Sequence, residues 1–574
     1  MLERTAEAAP VPGAPAPDNP PAGTAPIGYA PTGGAPTGGA PTGAVLDGTG
    51  LGAAMVARVA DGAPPPSLSP VALEAMERTR RAAHRLAAEG ARVYGRSTGV
   101  GAHRGLAVEE HDGAGHDLRL LLSHAGGVGE ALPARHVRAM MVVRVNQLLA
   151  AGSGLGPEIA TALARALRAG AHPRVPEYGS VGTGDLTALA RLGLVLFGHD
   201  TWLPESPLLD GPLAGHPLPE PLPLRRGDAL ALMSSNALTL GESALAWHDL
   251  GTPLRAAPVV ASLALHAVDG SLEPYAPEVH AAHGHPWVAR VAARVRWLLG
   301  AVAGAGDGAG TRAEAGTGTA TAAGVPVPSG GVPTRVQDPF GFRCFPQAHG
   351  PAMEAWSDLE RVLSIDLNAA TENPFIGWDE ATGTPVARHH GGFFTAPLAL
   401  ALDRLGLAAL GTARLSAARL SALGRPELTG RRSYLADASS AGSGMMILEY
   451  GAASALAEMQ ACATPASLGH VVLSQGVEEA ATFATQAARK TLRAAKAYRL
   501  VLACELVAAV RALRQRGTPP APGTPAGRAY LRAAAALDPD MRDRPLSDDV
   551  TVAAALLDGF AELTDEEEAP ERLG

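Results

Sequence analysis

The sequence predicts a mostly α-helical protein organised around a central bundle of long helices. Three observations carry that expectation. Of the 574 residues, 47% are hydrophobic but only 4% aromatic, a balance that favours helices packed through Ala, Leu and Gly over sheets rich in Val, Tyr and Thr. Apolar residues recur mainly at spacings of three and four. The run from Val477 to Arg514 contains no proline and is long enough to serve as a bundle spine.

Taken in order, residues 1 to about 48 are rich in Pro, Gly and Ala and repeat the unit Ala30-Pro31-Thr32-Gly33-Gly34, the composition of a disordered tail. An N-terminal domain follows over 49–225, with helices expected at Val71–Glu89, Ala134–Ala151, Ile159–Ala169 and Leu186–Phe197. Residues 226–516 form the long-helix domain, with helices expected at Ala352–Asn368, Ala396–Leu423, Met445–Cys462 and Val477–Arg514. A Gly/Ala/Thr-rich stretch over 300–331 reads as a surface insertion. Gly517 and the Pro519-Pro520 pair stop the last long helix. The remaining residues, 517–574, suit two short amphipathic helices and an acidic end, Asp565-Glu566-Glu567-Glu568.

A net charge of −9 offers no basic surface for nucleic acid. Cys344, Cys462 and Cys504 lie far apart without metal-ligand spacing, so neither a disulfide framework nor a metal site is expected. No signal-type apolar segment follows Met1, and no window reaches the roughly 18 uninterrupted apolar residues of a membrane span. The default expectation is a cytoplasmic protein without a membrane partner.

Two segments carry chemistry. Tyr94-Gly95-Arg96-Ser97-Thr98-Gly99-Val100-Gly101 places a phenol, able to act as acid or base, at the head of a loop whose glycines permit close approach to a ligand. Gly179-Ser180-Val181-Gly182-Thr183-Gly184-Asp185-Leu186 is a tight turn opening into an apolar helix, with Asp185 placed to cap its first amides.

Both segments, in this order, resemble the Tyr-Gly-x-x-Thr-Gly-x-Gly loop and the cofactor loop of the histidine, phenylalanine and tyrosine ammonia-lyases. Further motifs follow in family order: Leu122-Ser123-His124-Ala125, Arg144-Val145-Asn146-Gln147, Gln337 to Cys344, Asn368 to Pro374, Ser443 to Met446 and Glu478-Glu479. The resemblance spans about Val71 to Arg514 and implies an ammonia-lyase-like fold, a homotetramer and elimination of ammonia from an aromatic or histidine-like amino acid to give an unsaturated acid.

It also implies a methylidene-imidazolone (MIO) group made by cyclisation of the chain itself. The family triplet is Ala-Ser-Gly; here it reads Gly182-Thr183-Gly184 and the loop is one residue shorter. Thr183 has the hydroxyl that dehydration needs, and its product would carry a methyl group on the electrophilic carbon. No metal is implied. By the same resemblance Tyr94 is the base at the β-carbon, Arg343 holds the substrate carboxylate, His124 reads the substrate side chain, and Glu478 matches a site position that is Glu in histidine lyases.

Other positions depart from the pattern. The tyrosine of the Gln-Asp-x-Tyr motif is Phe340, the Asn-Gly-Thr-Gln segment reads Ser234-Ser235-Asn236-Ala237 with Asn236 two residues out of register, and Gly-Asn-Phe-His-Gly reads Gly391-Gly392-Phe393-Phe394-Thr395, keeping only Phe393 as the substrate-facing side chain. Two alternatives stand beside the lyase: a 2,3-aminomutase using the same site, and a repurposed homologue lacking the MIO group. The fumarase/aspartase type is set aside, because Ala441 to Met446 lacks the Pro and Lys of its flexible loop.

Overall fold

A computed structural model describes residues 45–109, 114–204, 216–301, 335–437 and 441–565. Most of the expected tail, the low-complexity stretch and the acidic end beyond Asp565 lie outside these residues. Helix makes up 61% and strand 6%, so the mostly-α expectation holds.

The tail boundary moves toward the N-terminus. Val45 and Leu46 pair in parallel with Ser67 and Leu68, and the Asn146 side chain accepts the Gly48 N–H at 3.1 Å. Six helices follow: α1 (Ala53–Ala60), α2 (Pro70–Ala88), α3 (Gly115–His124), α4 (Ala134–Leu149), α5 (Pro157–Arg168) and α6 (Leu186–Leu196). Helix α2 starts with Ser69 accepting the Ala72 N–H and with Pro70 in its first turn, where a missing amide costs nothing.

The bundle begins with a short α7 (Asp228–Met233) and then α8 (Ala237–Ala267), a helix absent from the sequence expectations. Around it come α9 (Pro277–His283), α10 (Pro286–Leu298), α11 (Phe340–Arg343), α12 (Phe345–Asp366), α13 (Ala396–Leu423), α14 (Pro426–Thr429), α15 (Met446–Cys462), α16 (Ala484–Arg516), α17 (Pro525–Ala536) and α18 (Ser547–Asp565). The most extensive helix contact is between α8 and α16; α13 and α15 pack on α16, and α4 and α18 on α8. One hydrophobic core runs from Leu46 to Phe560, crossing the expected boundary at 225 without a break.

Helix α16 starts seven residues later than the sequence suggested. Phe483, at φ 55°, breaks the run, and residues 474–476 form a separate short turn. Gly517, at φ 72°, ends the helix as expected. Helix α13 is the one described helix long and apolar enough to cross a membrane, but half of its apolar window is packed inside the fold.

Candidate active site

The loop 180–185 lies where four helices begin, at Leu186 (α6), Ala237 (α8), Ala396 (α13) and Ala484 (α16). Unpaired amides at helix N-termini favour negative charge, so this arrangement stabilises negative charge that develops on the loop. Three consecutive carbonyls are held from α16 and its approach. Gln486 donates to Ser180 O at 2.8 Å, Phe483 N–H to Val181 O at 2.8 Å, and the Thr482 hydroxyl to Gly182 O at 2.9 Å. Thr395, just ahead of α13, also places its hydroxyl 2.9 Å from Gly182 O.

Gly182 and Gly184 sit at φ 84° and 136°, conformations that glycine adopts without strain. A Cβ at Gly182 would lie 2.1 Å from Thr482 Oγ1, so no alanine fits the first triplet position in this arrangement. Neither the Thr183 hydroxyl nor the Gly184 amide is hydrogen-bonded among the described residues. A free amide at 184, a carbonyl held by hydroxyl donors at 182 and a free hydroxyl at 183 fit a self-cyclising group.

Asp185 does not cap its own helix. Its N–H donates to Ser235 O at 2.8 Å, while its buried carboxylate accepts Thr239 N–H at 2.8 Å and the Thr239 hydroxyl at 2.9 Å, tying the loop to α8. Burial pushes its pKa up to about 6, opposed by the Thr239 hydrogen bonds.

Asn236, although out of register, reaches the site: its amide donates to Phe393 O, and its Oδ1 is buried without a hydrogen-bond partner. The Arg144 to Gln147 motif holds this turn. The Arg144 guanidinium donates to Ala231 O and Leu232 O and pairs with Glu372 at 2.7 Å, fully buried, while Gln147 accepts the Ser235 hydroxyl at 2.6 Å.

The Tyr94 loop joins the 389–395 segment. Its backbone N–H donates to His389 Nε2 at 3.2 Å, and its phenol oxygen accepts the Gly101 N–H at 2.8 Å. Leu230 of α7 presses on Gly95, where a Cβ would come within 2.0 Å of Leu230 Cδ2. Gly101 packs on Ser474, bringing the turn before Glu478 against this loop. Glu478 is half-buried in that turn rather than on a helix, pairing through its backbone with Leu473.

His124 ends α3 and lines a cavity of about 650 Å³ together with Gly99, Val100, His103, His116 and Arg119. Its Nδ1 lies 2.9 Å from Leu120 O and 3.0 Å from the Ser123 hydroxyl, so Nδ1 donates to that carbonyl. Arg343 is not joined to these groups by any hydrogen bond among the described residues. Its guanidinium lies 4.4 Å from the Phe340 ring centre, with Nε buried and without a hydrogen-bond partner. The turn carrying both is fixed from behind, with Arg419 donating to Gly341 O and Tyr275 to Phe342 O. Sequence reasoning gave no role to Thr395, which closes the Gly391–Thr395 segment, or to Thr482 and Gln486, which lie outside the quoted motifs; all three meet Gly182 or Ser180 only in the fold.

This fold and loop define a helical carbon–nitrogen lyase. A family profile described as aromatic amino acid lyase matches residues 51–536, and the chain belongs to that family. It is 34% identical to a histidine ammonia-lyase of Anaeromyxobacter sp. (strain K), covering 90% of this chain and 98% of that one. Among solved structures, histidine ammonia-lyase from Trypanosoma cruzi has a similar fold, with a TM-score of 0.77 at 23% identity over 91% of this chain and 95% of the other. Tyrosine aminomutase from Streptomyces globisporus gives 0.77 at 24% identity over 92% and 99%.

Proposed function

We propose that the protein removes ammonia from an aromatic or histidine-like L-amino acid to give an α,β-unsaturated acid. The observation that supports this reading is that one segment, His389 to Thr395, is hydrogen-bonded to the Tyr94 loop, to Asn236 and to the Gly182-Thr183-Gly184 turn. The relatedness to histidine ammonia-lyases supports it. The matured triplet would supply the electrophile that turns the amine into a leaving group. Tyr94 takes the β-proton, a task for a positioned phenol. Arg343 grips the carboxylate, His124 and Phe393 meet the side chain, and Asn236 steadies the turn beside the triplet.

Arg343 makes no bond to the Tyr94 or Thr183 segments of its own chain among the described residues, so we place it in the site of a neighbouring copy. Exposed Leu400 and Leu407 on α13 and Ile447 and Tyr450 on α15 give such copies an apolar surface to cover. The expected assembly is a homotetramer in the cytoplasm.

The test pairs intact mass with product analysis on a panel of histidine, tyrosine and phenylalanine. A mass lower by two waters together with an unsaturated acid supports the reading; a β-amino acid product marks an aminomutase. An unmodified mass with no turnover on any of the three identifies a repurposed homologue.

A further inference from the structure

We propose that Thr395 and Thr482 form a two-hydroxyl donor pocket that activates the Gly182 carbonyl for closure of the triplet, making them catalytic residues of the chain's own maturation. The inference rests on the reading of Gly182-Thr183-Gly184 given above.

Both hydroxyls lie 2.9 Å from Gly182 O and 3.0 Å from each other. Each has one proton, so three contacts share two protons. The Ala484 N–H, 3.3 Å from Thr482 Oγ1, donates to that oxygen and turns its proton toward Gly182 O. Thr395 then donates either to the same carbonyl or through Thr482. In both arrangements the carbonyl oxygen is polarised within a buried pocket, where such donors act most strongly.

Closure makes a bond from the Gly184 nitrogen to the Gly182 carbonyl carbon, and the oxygen becomes negative as the C=O π bond breaks. That oxygen departs as water with the protons of the Gly184 and Thr183 amides, leaving a carbon–nitrogen double bond to the Thr183 nitrogen. A second water takes the Thr183 hydroxyl and its Cα proton. No oxidant or other reactant is needed. The two threonines face the one atom that gains charge in the first step, and the hydrogen bonds at Val181 O and Asp185 N–H hold both ends of the turn.

The geometry also accounts for glycine at position 182. The donor oxygen of Thr482 stands where an alanine side chain would lie, 2.1 Å from the position its Cβ would take. Here a hydroxyl donor has taken the space of a methyl group.

The full chain, made in a cell-free system and sampled over time by intact mass, tests this. The parent should lose two waters. Thr395→Val and Thr482→Val should each slow that loss by about a hundredfold, the usual effect of removing one donor from an oxyanion site. Thr395→Ser and Thr482→Ser should process at the parental rate. Circular dichroism and light scattering establish that each variant folds and assembles; if a valine variant does not, the corresponding alanine variant takes its place. Folded variants without either hydroxyl that lose two waters at the parental rate overturn the donor pocket while leaving the triplet reading intact. A parent that never loses water overturns both.

Discussion

The Asp185 carboxylate grips Thr239 through both its oxygens, at 2.8 and 2.9 Å, and so joins the start of α6 to the second residue pair of α8 without capping its own helix. This buried acid sets a pH-dependent term in stability. Its pKa is about 6 in the fold against 3.8 for the free group, so folding binds a proton more tightly. The contribution is therefore full below about pH 3.8 and is lost as pH rises through about 6, amounting to about 3 kcal/mol. Parent and Asp185→Asn should be compared by denaturation at pH 4 and pH 7. The parent's stability relative to the variant should fall across that interval, and subtraction removes Asp228 and Asp366, which are raised into the same range.

Glu372→Ala leaves the fully buried Arg144 without its counter-charge. A loss of about 3–5 kcal/mol is expected for one broken half of a buried pair. Chemical denaturation reads it, and a change below 1 kcal/mol would show that the bonds to Ala231 O and Leu232 O alone satisfy Arg144.

Arg343→Lys removes a forked donor that lysine mimics only in part. Calorimetry with a substrate-like amino acid should show binding weaker by roughly tenfold or more. Equal affinity would remove Arg343 from the carboxylate site.

Tyr94→Phe separates turnover from maturation. On the proposed role the phenol takes the β-proton, and among the described residues its one hydrogen bond is accepted from Gly101 N–H, so kcat should drop by about 100-fold to 10,000-fold, the range for a lost acid–base group. The two-water mass loss should be unchanged.

Much of the fold is legible in the sequence because its helices are amphipathic. Helix α5, expected at Ile159–Ala169, spans Pro157–Arg168 and buries Ile159, Leu163 and Leu167 on one face. Helix α8 is invisible for the opposite reason: it is buried around most of its circumference, has no polar stripe to mark a period, and contains Pro253 and Pro258. The early start expected for α16 failed on one residue, because nothing in an alanine-rich run announces that Phe483 will take a left-handed backbone. At the candidate site, Tyr94, Gly182 and Asn236 are legible as candidates through their motifs. Thr395 stands inside a quoted segment and Thr482 outside any, but neither is marked as a donor, since a threonine becomes one only when the fold supplies its acceptor. The spacing that suggested a helix cap for Asp185 was local, whereas its partner on α8 lies 54 residues away.

The contact between Thr482 and Gly182 spans 300 residues of chain. A nascent chain presents the loop without this donor until the segment carrying Thr482 has emerged and docked. On the maturation proposed above, fast closure is therefore reserved for chains in which that segment is in place, and products truncated before Thr482 would close slowly at position 183.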